Sequence, residues 1–484
     1  MQDPARHLED TPRLGGTLLP FQRTGVLYAR QKQRCFIGDE MGLGKTVQAI
    51  ATVEADIDYP TLVVCPASLR LNWKHEYEKW VPHRSVNLLY VRLLPLFELQ
   101  SPADIDIINY DILDKRMSYL IQRGYKSLIV DESHYLKSME TKRYRAMTKL
   151  CIIPHRYFLT GTAILNRPEE LKPQLILLGR IEDFGGMHEF EMRYGGKWQP
   201  PSKLIKLNEK MRSLCYIRRS KSEVLTELPD KRRVFIPVDI TNREEYETIQ
   251  ADIAKWFGEK SLKDKDFQAK LASQSEAIQV KMKLERQRSA EERAAAAEQL
   301  VKIEVLKQLS AKGKIKAVEE WIEDFLEQDE KLVVFCTHRE IVKELSSHFH
   351  ANFIDGETSY ENRDLYVREF QTNPDVKILF LTIKTGGLGL TLTAASNSVF
   401  VELGWTPSEH NQAEDRLHRI GQKDSVTAWY FIGTNTIDEW IQDVLEKKRK
   451  VVDATLDGTG FKGKETSLFK VLVNKLSKMG EKLQ

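Results

Sequence analysis

The segment Gly38-Asp39-Glu40-Met41-Gly42-Leu43-Gly44-Lys45-Thr46 lies between a candidate strand, Cys35–Gly38, and a helical pattern, Thr46–Glu54. A strand, a glycine-rich turn and a helix N-terminus together form an anion site from backbone N–H groups and the helix dipole. The sequence therefore predicts a phosphate-binding loop at the start of a helix.

Different residues of this loop are expected to have different roles in binding a nucleoside triphosphate. Gly42 and Gly44 supply the freedom that a tight turn needs. Lys45 is expected on the β- and γ-phosphates of ATP, and Thr46 is expected on Mg²⁺. Asp39 occupies a position, six residues before the lysine, where the usual pattern has glycine. We nevertheless expect ATP and Mg²⁺ to bind here.

Short apolar runs alternate with helical patterns on both sides of this loop, which favours βαβ units and a parallel sheet. In the first half the candidate strands are Cys35–Gly38, Thr61–Cys65, Ile105–Asn109, Ser127–Val130 and Arg156–Thr160. The pattern returns after Gly313, with candidate strands Lys331–Cys336, Lys377–Thr382, Ser398–Glu402 and Val426–Ile432. The predicted fold class is α/β, with two parallel-sheet lobes.

Residues 241–310 join the two halves and carry 13 Lys or Arg residues and 13 Asp or Glu residues. Met282–Leu309 predicts a long helix. A coiled-coil dimer is the alternative, which the irregular apolar heptads disfavour. The amphipathic stretch Ser467–Leu476 predicts a C-terminal helix packed on a lobe as a brace. We expect four segments: a first lobe with a helical protrusion over 1–235, a helical insertion or linker over 236–312, a second lobe over 313–452 and the brace over 453–484.

Composition limits the functional classes. The 484 residues are 41% hydrophobic and 9% aromatic, which is typical of globular domains. The net charge is only +3, so a uniformly basic nucleic-acid coat is excluded and any basic surface must be local. No apolar run approaches about 18 residues, and the polar N-terminus does not resemble a secretory signal. Five cysteines without a CxxC pair favour a reducing compartment over a disulfide framework or a zinc site.

The stretch Ser127-Leu128-Ile129-Val130-Asp131-Glu132-Ser133-His134 is an apolar strand that ends in two carboxylates. A strand end is where an α/β sheet places its ligand crevice. Asp131 is expected to hold Mg²⁺ through water, and Glu132 to position or deprotonate the attacking water. An Asp-Glu pair alone is often a solvated turn, but the phosphate-binding loop upstream favours the catalytic interpretation.

Other positions in the first half are candidate contacts. Gln22 offers a donor and an acceptor that suit an adenine edge. Thr160 and Thr162 follow another apolar strand and would link the γ-phosphate site to a neighbouring surface, with a plain strand-end turn as the alternative. Pro66 and Ser68 lie where a strand ends and a helix starts, and they would bind a nucleic-acid backbone phosphate.

Four motifs stand in order along the chain: Asp39–Thr46, Asp131–His134, Leu159–Thr162 and Gln412-Ala413-Glu414-Asp415-Arg416-Leu417-His418-Arg419-Ile420-Gly421-Gln422. With them the chain resembles the Swi/Snf-type ATPases of helicase superfamily two, over about Leu18 to Glu439. The resemblance implies two RecA-like lobes with ATP bound between them. It also implies that Arg416 and Arg419 reach the γ-phosphate from the second lobe, where guanidinium groups stabilise the charge that develops during phosphoryl transfer.

Within that family, the segments Asp131–Ser138 and Val401–Pro407 are similar to the HARP-like annealing helicases. Gly404 and Thr406 depart from that pattern, which usually has Phe and Asn at these positions, and Ala163 stands where the family usually has Pro. No accessory domain typical of annealing enzymes is readable in the sequence. A bare motor of this kind is more typical of a bacterial or phage protein.

The resemblance also implies a DNA-binding surface. It places Gly387 at the nucleotide, and it assigns DNA contacts to six residues: Asn109, Thr337, His338, Thr382, Lys384 and Trp405. Arg218 and Arg219 lie in a segment that resembles the family's linker, where they would serve either DNA binding or structure. Phosphate contacts dominate such binding, so it should be sensitive to salt and independent of sequence.

Together these features predict a motor that hydrolyses ATP to move along double-stranded or branched DNA and to remodel forks, junctions or R-loops by reannealing or unwinding. A motor that displaces or slides proteins on duplex DNA, as in nucleosome remodelling, is the alternative. A DNA clamp with a vestigial ATPase is disfavoured, because Lys45, Glu132 and Arg416 are intact in type. We expect a monomer without membrane attachment, cytoplasmic and nucleoid-associated in a prokaryote or phage-infected cell, or nuclear in a eukaryote.

Overall fold

The computed structural model describes residues 14–90, 102–161, 168–195, 201–272, 278–386, 389–456 and 468–482. The chain divides into two compact units, one formed mainly by residues up to Leu228 and the other mainly by residues from Pro229 onward. Each unit is built on one parallel sheet, so the predicted α/β class with two parallel-sheet lobes is confirmed. The predicted bounds of the four segments stay a prediction.

Seven strands form the sheet of the first unit: β1 (Arg34–Ile37), β2 (Thr61–Cys65), β3 (Val86–Leu88), β4 (Ile105–Asn109), β5 (Ser127–Val130), β6 (His155–Leu159) and β7 (Tyr216–Ile217). Their order across the sheet is β3-β4-β2-β5-β6-β1-β7, and every pairing is parallel. The described residues of this unit also form helices: α1 (Pro20–Lys32), α2 (Lys45–Asp56), α3 (Arg70–Trp80), α4 (Met117–Gln122), α5 (Lys142–Lys149), α6 (Pro168–Leu178), α7 (Gly186–Tyr194), α8 (Pro201–Leu214) and α9 (Lys221–Val224).

The central strands β2, β4 and β5 are buried along their whole length. This is expected of a parallel sheet, because crossover helices cover both of its faces. The carboxyl ends of parallel strands also meet at one edge. That edge carries Gly38 after β1, Pro66 after β2, Asn109 at the end of β4, Asp131 after β5 and Thr160 after β6. Most candidate residues of the first half therefore share one edge of the first sheet.

Six strands form the sheet of the second unit: β8 (Lys231–Val238), β9 (Leu332–Cys336), β10 (Phe353–Ile354), β11 (Ile378–Thr382), β12 (Asn397–Phe400) and β13 (Val426–Gly433). Their order is β10-β11-β9-β12-β13-β8, again with parallel pairings only. The helices described here are α10 (Arg243–Ala272), α11 (Ile278–Leu326), α12 (Arg339–His348), α13 (Tyr360–Thr372), α14 (Ile383–Gly386), α15 (Pro407–Glu414), α16 (Ile437–Leu456) and α17 (Leu468–Lys482).

Helix α11 is the long helix predicted over Met282–Leu309, and it extends further in both directions. A fully buried lysine joins its C-terminal half to the sheet. Lys314 Nζ donates to the carbonyl oxygen of Val401 at 2.6 Å and to that of Phe431 at 2.9 Å, and it lies 2.5 Å from Asp438 Oδ2. The lysine thus gains partners for each of its N–H donors, as burial of an ammonium group requires.

Helix α17 packs along α10 in the same unit, with a close approach of the two backbones. A Cβ on Gly480 would lie 1.8 Å from the carbonyl oxygen of Ala254, and one on Gly258 would lie 2.8 Å from the carbonyl carbon of Gly480. Glycine is therefore required at this crossing. Over the described ranges, no helix combines the length and the apolar character that a membrane span needs.

Candidate functional site

The loop between β1 and α2 contains two residues in the left-handed region. Gly42 has φ +86° and Gly44 has φ +75°, a conformation that glycine adopts without steric cost. Lys45, the next residue, is the first of α2. The chain thus turns sharply into a helix N-terminus, and the N–H groups of such a turn suit an anion.

Lys45 brings three parts of the first unit together. Its Nζ donates to the carbonyl oxygen of Asp39 at 2.8 Å, and a Cβ on Gly161 would lie 3.3 Å from the same nitrogen. Burial lowers the pKa of Lys45, and the charges of Glu132, Asp39 and Asp131 offset part of that effect. Lys45 therefore lies close to the chain after β6 and within electrostatic reach of the two carboxylates after β5.

The carboxylates that follow β5 are held in defined positions. Trp73 Nε1 donates to Asp131 Oδ2 at 2.8 Å, and the backbone N–H of Glu132 donates to Asp131 Oδ1 at 2.9 Å. Burial, together with the charge of Glu132, raises the pKa of Asp131 to about 6. Glu132 has φ +49°, a conformation that costs a non-glycine residue about 1–3 kcal/mol and that clusters at functional sites.

These residues fit the chemistry of a magnesium–phosphate site. Mg²⁺ prefers oxygen ligands and is usually held by one or two carboxylates together with substrate phosphates. Asp131 and the Thr46 hydroxyl are oxygen donors of that kind, and Lys45 supplies positive charge beside them. Gly42 and Gly44 carry no side chain of their own that would cover the N–H groups of the loop. The set therefore suits a nucleoside triphosphate with its magnesium ion.

Asp39, at the position where glycine is usual, is fully buried and ion-paired with Arg219. Arg219 Nε donates to Asp39 Oδ1 at 3.0 Å, and Gln48 Nε2 donates to Asp39 Oδ2 at 2.9 Å. Gly25 leaves room for this group, since a Cβ there would lie 1.9 Å from Gln48 Oε1. An unpaired carboxylate here would repel phosphate. Arg219 neutralises it and makes the acidic residue compatible with the loop.

Strand β7 and the segment that follows it hold the phosphate-binding loop at further points. Three hydrogen bonds join them: Gly38 N to Ile217 O at 2.8 Å, Arg218 Nη1 to Gly38 O at 2.7 Å and Lys221 N to Glu40 Oε2 at 2.7 Å. Arg218 and Arg219, for which the sequence left DNA binding or structure open, both support the loop in this structure. The signal that points to Arg219 is Asp39, because a buried carboxylate requires a cationic partner.

Gln22 is buried against the same loop. Its Oε1 accepts a hydrogen bond from the backbone N–H of Leu19 at 2.9 Å, and its Nε2 donates to the carbonyl oxygen of Leu43 at 3.2 Å. The amide thus joins the start of α1 to the turn before α2. Its contact with adenine stays a prediction.

The structure places the other candidates of the first half at the strand ends. Thr160 is fully buried, and Asn109 is buried at the end of β4. Pro66 and Ser68 are half-buried at the end of β2. Thr162 lies outside the described residues. The roles assigned to these five residues stay predictions.

In the second unit, His338 lies between two acidic residues. Its Nδ1 is ion-paired with Glu402, and its Nε2 lies 3.3 Å from Glu304 Oε2 on α11. Trp405 Nε1 donates to Glu304 Oε1 at 2.7 Å, and Lys307 Nζ lies 4.8 Å from the centroid of the Trp405 ring. Predicted DNA contacts therefore meet here at a residue, Glu304, that the sequence analysis did not single out.

The pKa values in this group favour the charged forms. Burial opposes protonation of His338, but hydrogen bonds to Glu304 and Glu402 outweigh it and raise the pKa of His338 to about 9. Burial likewise opposes ionisation of Glu304, but His338, Lys307 and Trp405 outweigh it and lower the pKa of Glu304 to about 2. The group is thus held together by matched charges of its own.

Of the remaining candidates in the second unit, Thr382 is buried, with its hydroxyl oxygen 3.0 Å from Thr385 Oγ1. Lys384 is exposed and Thr337 is half-buried. Gly387 lies outside the described residues. Their roles in binding DNA or nucleotide stay predictions.

Helix α15 leads into the motif that carries the predicted arginine fingers. Glu414, its last residue, is fully buried and lies 2.9 Å from Lys231 Nζ. Arg233 Nε donates to the Glu414 carboxylate at 2.6 Å. Both cations belong to β8, so this strand fixes the chain just before Arg416. Arg416 and Arg419 are partly exposed, and their contact with a γ-phosphate stays a prediction.

Comparison with known families finds two matches. The SNF2-related domain matches residues 21–294, and the helicase conserved C-terminal domain matches residues 313–421. The first match covers more than half of the chain. The second lies entirely within the part of the chain that contains the second sheet.

Curated relatives match most of this chain. The DNA annealing helicase and endonuclease ZRANB3 of Homo sapiens is 34% identical, over 92% of this chain and 41% of that protein. SWI/SNF-related matrix-associated actin-dependent regulator of chromatin subfamily A-like protein 1 of Xenopus tropicalis is 32% identical, over 91% of this chain and 45% of that protein. The chain thus spans less than half the length of these two relatives.

A solved structure described as the Sulfolobus solfataricus SWI2/SNF2 ATPase core in complex with dsDNA is 24% identical to this chain. The match covers 96% of this chain and 97% of that one, with a TM-score of 0.43.

Proposed function

This chain belongs to the SNF2-related domain family, and on that premise we propose that it hydrolyses ATP to move along double-stranded or branched DNA. The outcome that we propose is remodelling of forks, junctions or R-loops, because one relative is named as a DNA annealing helicase. The observation that carries the proposal is the meeting of Lys45, Asp131 and Glu132 at the carboxyl edge of the first sheet.

In the proposed reaction, Lys45 exchanges its carbonyl partners for the β- and γ-phosphates of ATP, and the N–H groups of the turn bind the same phosphates. Thr46 and Asp131 hold Mg²⁺, which neutralises phosphate charge when it is bound. Glu132 orients the attacking water and accepts its proton.

Arg416 and Arg419 have the proposed role of stabilising charge on the transferred phosphoryl group. The ion pairs of Glu414 with Lys231 and Arg233 support this role, since they fix the backbone that precedes Arg416. On the DNA side, β2 lies next to β5 in the sheet order, and β4 lies next to β2. This order supports backbone contacts from the end of β2, beside the hydrolytic carboxylates, and from the end of β4, one strand further away.

The test is steady-state ATP hydrolysis at fixed moderate salt without DNA and with single strand, plain duplex, a three-way fork or a four-way junction. We expect DNA to stimulate hydrolysis, and we expect Lys45→Ala to abolish it because phosphate binding is lost. Stimulation by forks or junctions well above duplex supports the proposed remodelling of branched DNA. Equal rates with and without every DNA would contradict the proposal.

The alternative function, a motor that displaces or slides proteins on duplex DNA, is favoured by the name of the second relative, which describes a regulator of chromatin. In the same assay, this alternative predicts that plain duplex alone stimulates ATP hydrolysis fully. It also predicts that the stimulation increases with the length of the duplex. Displacement of a protein roadblock from that duplex, measured in the presence of ATP, then distinguishes it from remodelling of branches.

A further inference from the structure

We propose that Tyr135 and Arg143 form a DNA contact that is linked directly to the hydrolytic carboxylates, an inference that rests on the proposed function. These residues belong to the surface formed by residues 133–149. That segment contains five Lys or Arg residues and one acidic residue, in a chain whose net charge is only +3. It is therefore a local basic surface of the kind that composition requires of a DNA-binding chain with little net charge.

Tyr135 is 41% exposed as a residue, yet its ring is held in place. It stacks on the buried Tyr110, with ring centroids 5.5 Å apart and an angle of 10° between the ring planes. The Arg143 guanidinium carbon lies 5.3 Å from the centroid of the Tyr135 ring. The exposed part of this ring lies beside a guanidinium group, so an apolar contact and a phosphate ligand are available at one place.

The two aromatic neighbours of Tyr135 each contact one of the two residues that carry the hydrolytic carboxylates. Tyr110 donates its hydroxyl hydrogen to the carbonyl oxygen of Asp131 at 2.6 Å. The His134 ring centroid lies 4.9 Å from that of Tyr135, and His134 Nδ1 lies 3.1 Å from Glu132 Oε2. A ligand that shifts the Tyr135 ring therefore acts on the backbone of Asp131 and on the carboxylate of Glu132.

The charges on α5 indicate a polyanion as the ligand. Lys142, Arg143 and Arg145 form no ion pair within the ranges that the structure describes, whereas Lys137 and Lys149 pair with acidic side chains. Cations without acidic partners gain most from phosphate, because counterions are released when it binds. The surface also follows β5, which neighbours β2 and its predicted DNA contacts in the sheet order. We therefore assign duplex DNA as the ligand, with a phosphate on Arg143 and a sugar or base against Tyr135.

The first measurement is duplex binding by fluorescence anisotropy over a range of salt concentrations, without nucleotide. For Arg143→Ala we expect the slope of log K against log salt to become shallower by about 0.9, the value for loss of one phosphate contact. The matched control is Lys126→Ala. It removes the same charge from an exposed position just before β5, at the opposite edge of the sheet, and should leave the slope unchanged.

The second measurement is the ratio of DNA-saturated to DNA-free ATP turnover. For Tyr135→Ala we expect this ratio to fall about tenfold, within the roughly 5–150-fold range that is typical of coupling between two sites. Tyr135→Phe keeps the ring and should keep the ratio. A merely structural defect lowers both turnovers together and leaves the ratio unmoved.

A wild-type protein that DNA stimulates, with Tyr135→Ala and Arg143→Ala indistinguishable from it in ratio and slope, would overturn this inference and leave the proposed function standing. A wild-type protein that no DNA stimulates would contradict the proposed function, and the inference would fall with it. If Tyr135→Ala does not fold, the inference is decided by comparing the salt dependence of DNA binding in Arg143→Ala with that in Lys126→Ala.

Discussion

The carboxyl edges of the two sheets carry charged groups that are shifted in opposite senses. In the first unit, burial lowers the pKa of Lys45 and raises that of Asp131 to about 6, so both groups are shifted towards neutrality. In the second unit, ionic partners outweigh burial, raising the pKa of His338 to about 9 and lowering that of Glu304 to about 2. A charged ligand would therefore stabilise the charged forms of the groups at the first edge. At the second edge, the charged residues already neutralise one another. Equivalent edges of two similar sheets thus differ in their need for an external charge.

The largest expected effect tests the chemistry of the first edge. In Glu132→Gln the proton acceptor is lost while the size of the side chain is kept. We expect ATP to bind and turnover to fall by roughly 10²–10⁴-fold, the usual contribution of a general base. Equilibrium binding of ATP and steady-state hydrolysis with saturating DNA measure the two parts. Normal turnover in this variant would remove Glu132 from the proposed mechanism.

The next effect tests how the first edge tolerates its own acidic residue. Arg219→Ala leaves Asp39 charged, buried and without its cation, so we expect a loss of about 3–5 kcal/mol in the free energy of unfolding. Adding Asp39→Gly restores the usual glycine and removes the stranded charge. Urea unfolding should therefore show the double variant as more stable than the single one. Equal stabilities would mean that the ion pair does not govern this loop.

A pH experiment tests the second edge. Because the pKa of His338 in the folded state, about 9, exceeds its ordinary value of about 6.5, the folded state binds more protons between these values. The stabilisation is complete below about pH 6.5 and is lost as the pH rises through about 9. It amounts to less than about 3.4 kcal/mol, the value that corresponds to the two pKa values, because solvent screens the partly exposed ring. Groups that face His338 are Glu304, Glu402 and Lys307.

The free energy of unfolding of wild type and His338→Gln, measured from pH 6 to pH 10, checks this expectation. Wild type should lose stability with rising pH more steeply than the variant, because only wild type releases this proton on unfolding. Parallel curves would show that the charges around His338 do not stabilise the second edge.

The smallest effect lies away from both edges. Gly480→Ala places a methyl group against the carbonyl oxygen of Ala254, where α17 crosses α10, and overpacking of this kind costs about 1–3 kcal/mol. Gly356→Ala is the matched control in the same unit, since no atom lies within 4 Å of the added Cβ. Thermal unfolding compares the two. A similar cost at both positions would mean that the helix crossing is not tight in solution.

Apolar runs predicted most strands, with ends displaced by at most two residues; Ser398–Glu402, for example, is β12 at Asn397–Phe400. The strands that were missed have physical reasons. β7 and β10 contain two residues each and β3 contains three, too few to show any alternation. β8 begins with Lys231-Arg232-Arg233, a charged sequence that is typical of a surface segment. In the structure, Glu414 and Asp415 provide the acidic partners that allow these residues to lie in a strand.

The residues of the site that belong to local motifs were predictable from the sequence. The family expected from the four motifs is the family that the SNF2-related domain match shows. The partners of the motif residues were not predictable, because they are distant in sequence and brought close by topology. Arg219 lies 180 residues from Asp39, and Glu304 reaches His338 from a helix that precedes β9. Local motifs therefore identify the reacting residues, whereas the fold determines which residues position them.

Strand β8 leaves the ribosome long before the strand it pairs with. Lys231 is opposite Val426 in the sheet. Residues 239–425 must therefore be synthesised before β8 and β13 can pair. During that interval the nascent chain carries an unpaired edge strand, and charged residues on such a strand discourage pairing with other chains. Lys231 and Arg233, which hold Glu414 in the folded protein, are charges of this kind on β8.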